Sequence, residues 1–180
     1  MRIIAGRWRG RILVAPKGDA TRPTADRTRE ALFSMLTSRL GSFEGLQVAD
    51  LFAGSGALGL EALSRGAASC TFVEQDRAAL DALRANVAAL KAIADIRAQS
   101  VMALAPTTRA FDLILMDPPY ATGAGQVALD RCRRLGLVSD TAIISIETGR
   151  EESVSLAGFA IEAERVHGKA KITLLRPGIQ

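Results

Sequence analysis

Val48-Ala49-Asp50-Leu51-Phe52-Ala53-Gly54-Ser55-Gly56-Ala57-Leu58-Gly59 is the stretch that decides the fold. Residues 48–53 form an apolar run of the kind a buried parallel strand requires. Helix-forming residues over 57–64 follow at once, so the glycines make a tight strand-to-helix turn. Gly54-x-Gly56-x-x-Gly59 matches the dinucleotide-binding fingerprint, and Glu74 stands twenty residues after Gly54, where a ribose-binding acid belongs, so an NAD-dependent enzyme is one hypothesis. The glycines by themselves say only that something approaches the backbone closely.

Outward from this loop the chain alternates strand and helix. Strands are expected at 70–74, 93–99, 111–116 and 141–147, with helices at 77–92 and 126–135. Alternation of this kind predicts right-handed crossovers and one mainly parallel sheet. The end differs, because the strands expected at 157–166 and 169–175 are joined by His167-Gly168, a tight hairpin that makes the last strand antiparallel. The expected fold is therefore α/β, a Rossmann-like sheet of seven strands. Upstream, Asp26-Arg27-Thr28-Arg29-Glu30-Ala31-Leu32-Phe33-Ser34-Met35-Leu36 reads as a helix with Ala31, Leu32, Met35 and Leu36 on one face. Residues 1–18 read as a small β-hairpin of strands 2–5 and 11–14 around a basic turn holding Trp8. The expected organisation is one domain over 1–180, made of the hairpin at 1–18, a linker and helix over 19–45, and a catalytic core over 46–180.

Net charge is +4, and its placement is more telling than its size. Residues 1–30 carry Arg2, Arg7, Arg9, Arg11, Lys17, Arg22, Arg27 and Arg29 against Asp19, Asp26 and Glu30, a balance of +5 that leaves the rest at −1. A cationic front end on a near-neutral body points to a polyanionic partner. No apolar run approaches about 18 uncharged residues, and the N-terminus lacks a signal-peptide core, so a cytoplasmic protein with no membrane role is expected. Cys70 and Cys132 lack any paired spacing and read as buried reduced thiols. His167, the sole histidine, reads as a turn residue with no metal partners, and no metal is expected.

The second informative stretch is Asp117-Pro118-Pro119-Tyr120, at the carboxyl end of the apolar run 111–116. Two prolines cannot continue a ladder or enter a helix interior, so they stiffen the exit loop. A carboxylate, a proline carbonyl and an aromatic face together suit a flat ring that bears an amine. Asp50, at the end of the first strand, discriminates among cofactors. A carboxylate there would repel a dinucleotide pyrophosphate but favour the ammonium and sulfonium of S-adenosylmethionine. Strand order in such sheets reverses after the first strand, so the loops at 50–56 and 117–120 should face one crevice.

These residues resemble the Rossmann-like S-adenosylmethionine methyltransferases of exocyclic amines, and most closely the bacterial family that makes N2-methylguanine in small-subunit (16S) ribosomal RNA. The likeness covers almost the whole chain. It rests on the basic hairpin, on Arg22-Pro23-Thr24-x-Asp26-Arg27-x-Arg29-Glu30-Ala31-Leu32-Phe33, on Asp50 to Gly56, on Glu74 and on Asp117 to Tyr120. The resemblance implies that Asp50, Gly54 and Gly56, with Phe52 and Ser55, cradle the methionine part of the cofactor. Glu74, followed by Gln75, would bind the ribose, and Ser100 with Val101 would lie along the adenine. Asp117 and the Pro118 carbonyl would accept the guanine amine hydrogens, Tyr120 would stack on the flipped base, and Pro119 would stiffen the clamp. Arg2, Arg7, Trp8, Arg9, Arg11, Lys17, Arg22, Thr24, Arg27 and Arg29 would meet the RNA. The implied partner is 16S ribosomal RNA in an assembled or partly assembled small subunit, with the protein a monomer. Family members often place Asp or Asn along the adenine, where this chain has Ser100. Trp8 reads equally as a packed hairpin residue, Arg131, Arg133 and Arg134 as a solvated helix face, and Lys169 and Lys171 as flanks of the sheet edge. An adenine-N6 or glutamine-amide methyltransferase, a dinucleotide-dependent oxidoreductase and a catalytically silent RNA-binding protein are the competing readings.

Overall fold

β1 (Gln47–Leu51) lies inside a seven-stranded sheet, flanked in parallel by β2 (Ser69–Glu74) and β4 (Phe111–Met116). The computed structural model describes residues 1–18 and 23–178, with Pro23 and Thr24 described by backbone alone. β3 (Asp95–Ala98) forms one edge beside β2, and β5 (Val138–Gly149) pairs in parallel with β4. β7 (Ala170–Pro177) runs antiparallel to β5, and β6 (Phe159–His167) closes the other edge, giving the order β3-β2-β1-β4-β5-β7-β6. The order reverses between β1 and β4, so the crevice expected at that switch point lies between their carboxyl ends.

Four helices cover the sheet: α1 (Pro23–Leu40), α2 (Ala57–Ser64), α3 (Arg77–Leu90) and α4 (Ala124–Arg134). Along β4, Leu113 and Leu115 enter one core with Leu36, Leu60 and Leu83, while Ile114 and Met116 enter the other with Leu129 and Ile146. Burial on both faces explains why the central strands read as unbroken apolar runs. Among the described residues no helix is long and apolar enough to cross a membrane.

Three sequence expectations are corrected. α1 begins at Pro23, so the helix takes the last residue of the expected linker; proline suits a first helical position, where its missing N–H is not needed. Its buried stripe is Thr28, Arg29, Leu32, Phe33, Met35 and Leu36, one turn longer toward the N-terminus than the face expected. β5 extends well beyond 141–147 because it pairs with β4 and β7 along its length, whereas β3 is a short edge strand paired to β2 alone.

The third correction concerns residues 1–18. The expected hairpin pairs over a short span only: one antiparallel bridge, Arg2 with Ile12, flanked by the Leu13 amide on the Met1 carbonyl, the Ile3 amide on the Arg11 carbonyl and the Gly10 amide on the Ile3 carbonyl, each at 2.9 Å. Side chains of the body supplement this short ladder. The buried Glu61 carboxylate accepts from the Ile4 and Ala5 amides at 2.8 and 3.0 Å, and from Arg65 Nε at 2.9 Å. Ser64 Oγ donates to the Ala5 carbonyl at 2.6 Å and accepts from the Trp8 amide at 3.0 Å. A Cβ on Gly6 would sit 1.9 Å from the Ser64 carbonyl oxygen, so only glycine permits this approach. With Ile3 and Leu13 in the core, the segment is docked on α2 instead of projecting as an arm.

Candidate active site

The carboxyl ends of β1, β2, β4 and β5 open into one cleft of about 1410 Å³. On its β1 side, Phe52 turns the chain with φ 61°, a left-handed backbone that costs a non-glycine residue of order 1 kcal/mol or more and clusters at functional sites. Gly54 follows with φ 56° and open space where a Cβ would stand, so the loop backbone is bare toward the cleft. Gly59 serves packing instead: a Cβ there would meet Phe72 Cε1 at 2.4 Å and Cys70 Sγ at 2.6 Å, so glycine lets α2 lie close against β2.

Two carboxylates on this side are held by backbone amides. Asp50, almost fully buried, accepts from the Gly59 amide at 2.8 Å. Burial drives its pKa well above the usual carboxylate range against the pull of that hydrogen bond, and the charges of Asp117 and Glu74 push the same way as burial. Glu74 accepts from the Gly54, Gln75 and Asp76 amides, each at 2.8 Å, which ties the end of β2 to the glycine loop. Gln99, Ser100 and Val101 line the far end, where Ser100 Oγ accepts from the Met102 amide at 3.2 Å and caps a short 3-10 turn.

Across the cleft, the loop after β4 presents Asp117, Pro118, Pro119 and Tyr120. α4 approaches it closely, because a Cβ on Gly125 would stand 3.1 Å from Pro118 Cγ. Thr122 Oγ1 donates to the Pro119 carbonyl at 2.7 Å. Glu152 Oε1 accepts from the Ala121 and Gly149 amides at 2.8 and 2.7 Å, pinning the loop's second half, where Ala121 has φ 59°. Asp117 and the Pro118 carbonyl accept no hydrogen bond among the described residues. Asp117 keeps surface open to the cleft while protein packs around its other sides. Burial, and then the neighbouring Glu147 carboxylate, push it up to about 7.

The cleft is lined by every residue expected at the cofactor and clamp positions except Gly56, whose φ of 83° turns the loop into α2 and where a Cβ would meet Leu83 Cδ1 at 2.4 Å. It also holds residues the sequence reading left elsewhere. Glu147, near the end of β5, accepts the Tyr120 hydroxyl at 2.5 Å and faces the cleft beside Asp117. The turn from β6 to β7 adds His167, Gly168 and Lys169 to the same wall, with His167 Nε2 buried and unpartnered. The signal available for Glu147 was its place: Asp50, Glu74 and Asp117 each stand at the carboxyl end of a buried strand, and so does Glu147. None of these four carboxylates enters an ion pair among the described residues.

The basic residues divide. Arg2, Arg7, Arg9, Arg11, Lys17 and Arg27 are exposed. Arg7 lies 4.1 Å over the Trp8 ring, which packs partly into the core, and Arg11 Nη2 donates to the Ala89 carbonyl at 2.9 Å. Arg29 departs from the expected outward phosphate contact. It is buried on the cleft wall, pairs with Asp26 at 3.3 Å and donates to the Arg2 carbonyl; burial draws its guanidinium below its ordinary pKa. Arg22 and the Thr24 side chain lie outside the described residues. Arg133 and Arg134 pair with Asp130 at 2.8 and 2.7 Å, while Arg131 Nη2 donates to the Leu104 carbonyl at 2.9 Å, so the three do not form one solvated face. Cys70 and Cys132 are buried free thiols.

The family described as "Conserved hypothetical protein 95" matches residues 1–176. The chain belongs to this family. It is 38% identical to the ribosomal RNA small subunit methyltransferase D of Escherichia coli strain K12, over 97% of this chain and 88% of that protein. It is 34% identical to the putative rRNA methyltransferase YlbH of Bacillus subtilis, over 84% of each. Among solved structures, the putative methyltransferase yhhF of Escherichia coli superposes with a TM-score of 0.86 at 38% identity, covering 100% of this chain and 99% of that one.

Proposed function

We propose that this protein transfers a methyl group from S-adenosylmethionine to the exocyclic N2 amine of a guanine in small-subunit ribosomal RNA. One observation carries the reading: two sets of carboxylates, none in an ion pair among the described residues, face one cleft across the β1–β4 switch point. An acidic floor at Asp50 and Glu74 suits a ligand bearing an ammonium, a sulfonium and two ribose hydroxyls, and it disfavours a pyrophosphate. The bare backbone at Gly54 gives such a ligand room to lie against the loop. The family relatives named as ribosomal RNA methyltransferases support both the reaction and the nucleic-acid class.

The bound cofactor supplies an electrophilic methyl. This chain's residues supply position and charge. The guanine amine is a poor nucleophile because its lone pair is delocalised into the ring. The Asp117 carboxylate and the Pro118 carbonyl, both without competing donors, accept its two hydrogens and favour a pyramidal nitrogen with its lone pair turned toward the glycine loop. Tyr120, 43% exposed, offers a ring on which a flipped base stacks, worth about 1–3 kcal/mol. After transfer the nitrogen is acidic and sheds its proton readily, so no strong base is needed. The exposed arginines and Lys17 on the docked N-terminal segment hold RNA phosphates beside the cleft.

Labelled methyl transfer to unmodified small subunits, naked ribosomal RNA and DNA, followed by nucleoside analysis, tests the reading. N2-methylguanosine is the expected product. Label in N6-methyladenosine, or in no RNA at all, overturns it. Stabilisation by S-adenosylhomocysteine and not by NAD or NADP in a thermal-shift panel checks the cofactor separately.

A further inference from the structure

We infer that Glu147 is a specificity-determining residue, the acceptor for guanine N1–H that admits guanine to the cleft and rejects an amine-bearing base whose N1 carries a lone pair. This rests on the guanine reading above and deepens it. Tyr120 and Asp117 occupy the same cleft wall as Glu147, and the tyrosine hydroxyl takes only Oε1 of its carboxylate, at 2.5 Å. No other hydrogen bond or ion pair engages the Glu147 carboxylate among the described residues. The cleft therefore presents, on one wall, the Asp117 carboxylate, the Pro118 carbonyl and the second Glu147 oxygen, acceptors that no donor of the described residues engages.

Guanine answers those acceptors. Its Watson–Crick edge carries N1–H beside the two N2 hydrogens, three donors in sequence. A base with a bare N1 would set a lone pair against a carboxylate, and a site that offers acceptors disfavours a ligand that lacks the matching donor. The same arrangement explains why two carboxylates are tolerated so close together. Burial, eased by the Tyr120 hydrogen bond, raises the Glu147 pKa, and Asp117 is raised beside it, so the empty cleft can hold a proton that the incoming base edge replaces. Asp117 and Pro118 alone recognise an amine. Adding Glu147 makes the wall read which ring bears it.

The test uses 2-aminopurine, which keeps the 2-amine but has a lone pair at N1. Once the modified guanine is mapped with the wild-type protein, small subunits are assembled on RNA carrying guanine or 2-aminopurine at that position. Wild-type protein should prefer guanine by about 100-fold in kcat/KM, and Glu147→Gln, which can donate to a bare N1, should cut the preference to about tenfold or less. Tyr120→Phe should slow both substrates and leave their ratio at the wild-type value, separating recognition by Glu147 from its hold on Tyr120. If Glu147→Gln does not fold, as judged by its melting with S-adenosylhomocysteine, Glu147→Asp must likewise lower the ratio. An unchanged ratio in the folded variant overturns this inference while leaving the guanine reading intact. Wild-type protein that puts no methyl on guanine brings down both.

Discussion

On the β1–β2 side of the cleft, Glu74 rests on three backbone amides and Asp50 on one, whereas across it Glu147 meets a single tyrosine hydroxyl and Asp117 meets no donor. The first pair keeps its geometry with nothing bound, since amides of the glycine loop and α2 fix both carboxylates. The second pair is held by chain stiffness: two prolines, the close packing of α4 on Pro118 and the Glu152 anchor. On the reading proposed above, one side is a preformed receptor, and the other is a set of acceptors kept in place for donors that a substrate must bring. Enzymes that bind a common cofactor and a selective target gain from that division, because only the target side must discriminate.

Asp117→Ala is the sharpest way to break the contrast. Turnover should fall about 1,000-fold, the scale of losing a principal transition-state contact, while S-adenosylhomocysteine still raises the melting temperature. An alanine variant of normal rate refutes the clamp. Next, Arg7, Arg9 and Arg11 replaced together by alanine should weaken RNA binding about tenfold or more and flatten its salt dependence by roughly 2–3 in log–log slope, read from titrations at several salt concentrations. An unchanged slope places the RNA elsewhere.

Asp50 separates the two roles of an amide-held carboxylate. Asp50→Ala orphans the Gly59 amide and should cost about 1–3 kcal/mol of stability, measured by denaturant unfolding. Asp50→Asn keeps an acceptor for that amide, so it should fold normally while binding S-adenosylhomocysteine about tenfold more weakly, if charge and not shape attracts the ligand. The smallest effect is on pH. Asp117 titrates at about 7 in the folded protein, far above an unfolded aspartate. Between those values the native state holds the extra proton, so this group's contribution to stability declines as pH rises through the window. Turnover should move the opposite way, rising as the acceptor ionises. Asp117→Asn should remove its share of the stability slope; a melting profile that keeps its full slope in that variant assigns the titration to another group.

Much of this arrangement was legible in the chain. The apolar strands and glycine loop fixed the order of elements, and Asp50, Glu74 and Asp117 showed themselves as acids ending buried runs. Glu147 escaped because no motif surrounds it, though it obeys the same positional rule. Arg29 was misplaced for a different reason: its side of α1 depends on where the helix begins, and an arginine in the first turns of a basic segment reads as solvated until packing buries it. Residues 1–18 were read as a hairpin, and they pair as one, but over a shorter span than the strand-like residues suggest. Glu61 and Ser64, which hold them, lie more than fifty positions away and carry no local signal.

Those same long reaches set an order of assembly. Ile4 finds its acceptor 57 residues downstream, and Val14 finds Asn86, which also bonds the Ser55 carbonyl of the glycine loop, after 72. Residues 1–18 thus leave a translating ribosome before their partners and settle only after them. At about 5–20 residues per second, the basic segment waits roughly 4–14 s for Asn86 to be made. Through that interval its charges have no fixed spacing, and the basic surface comes into being only once α2 and α3 stand to shape it.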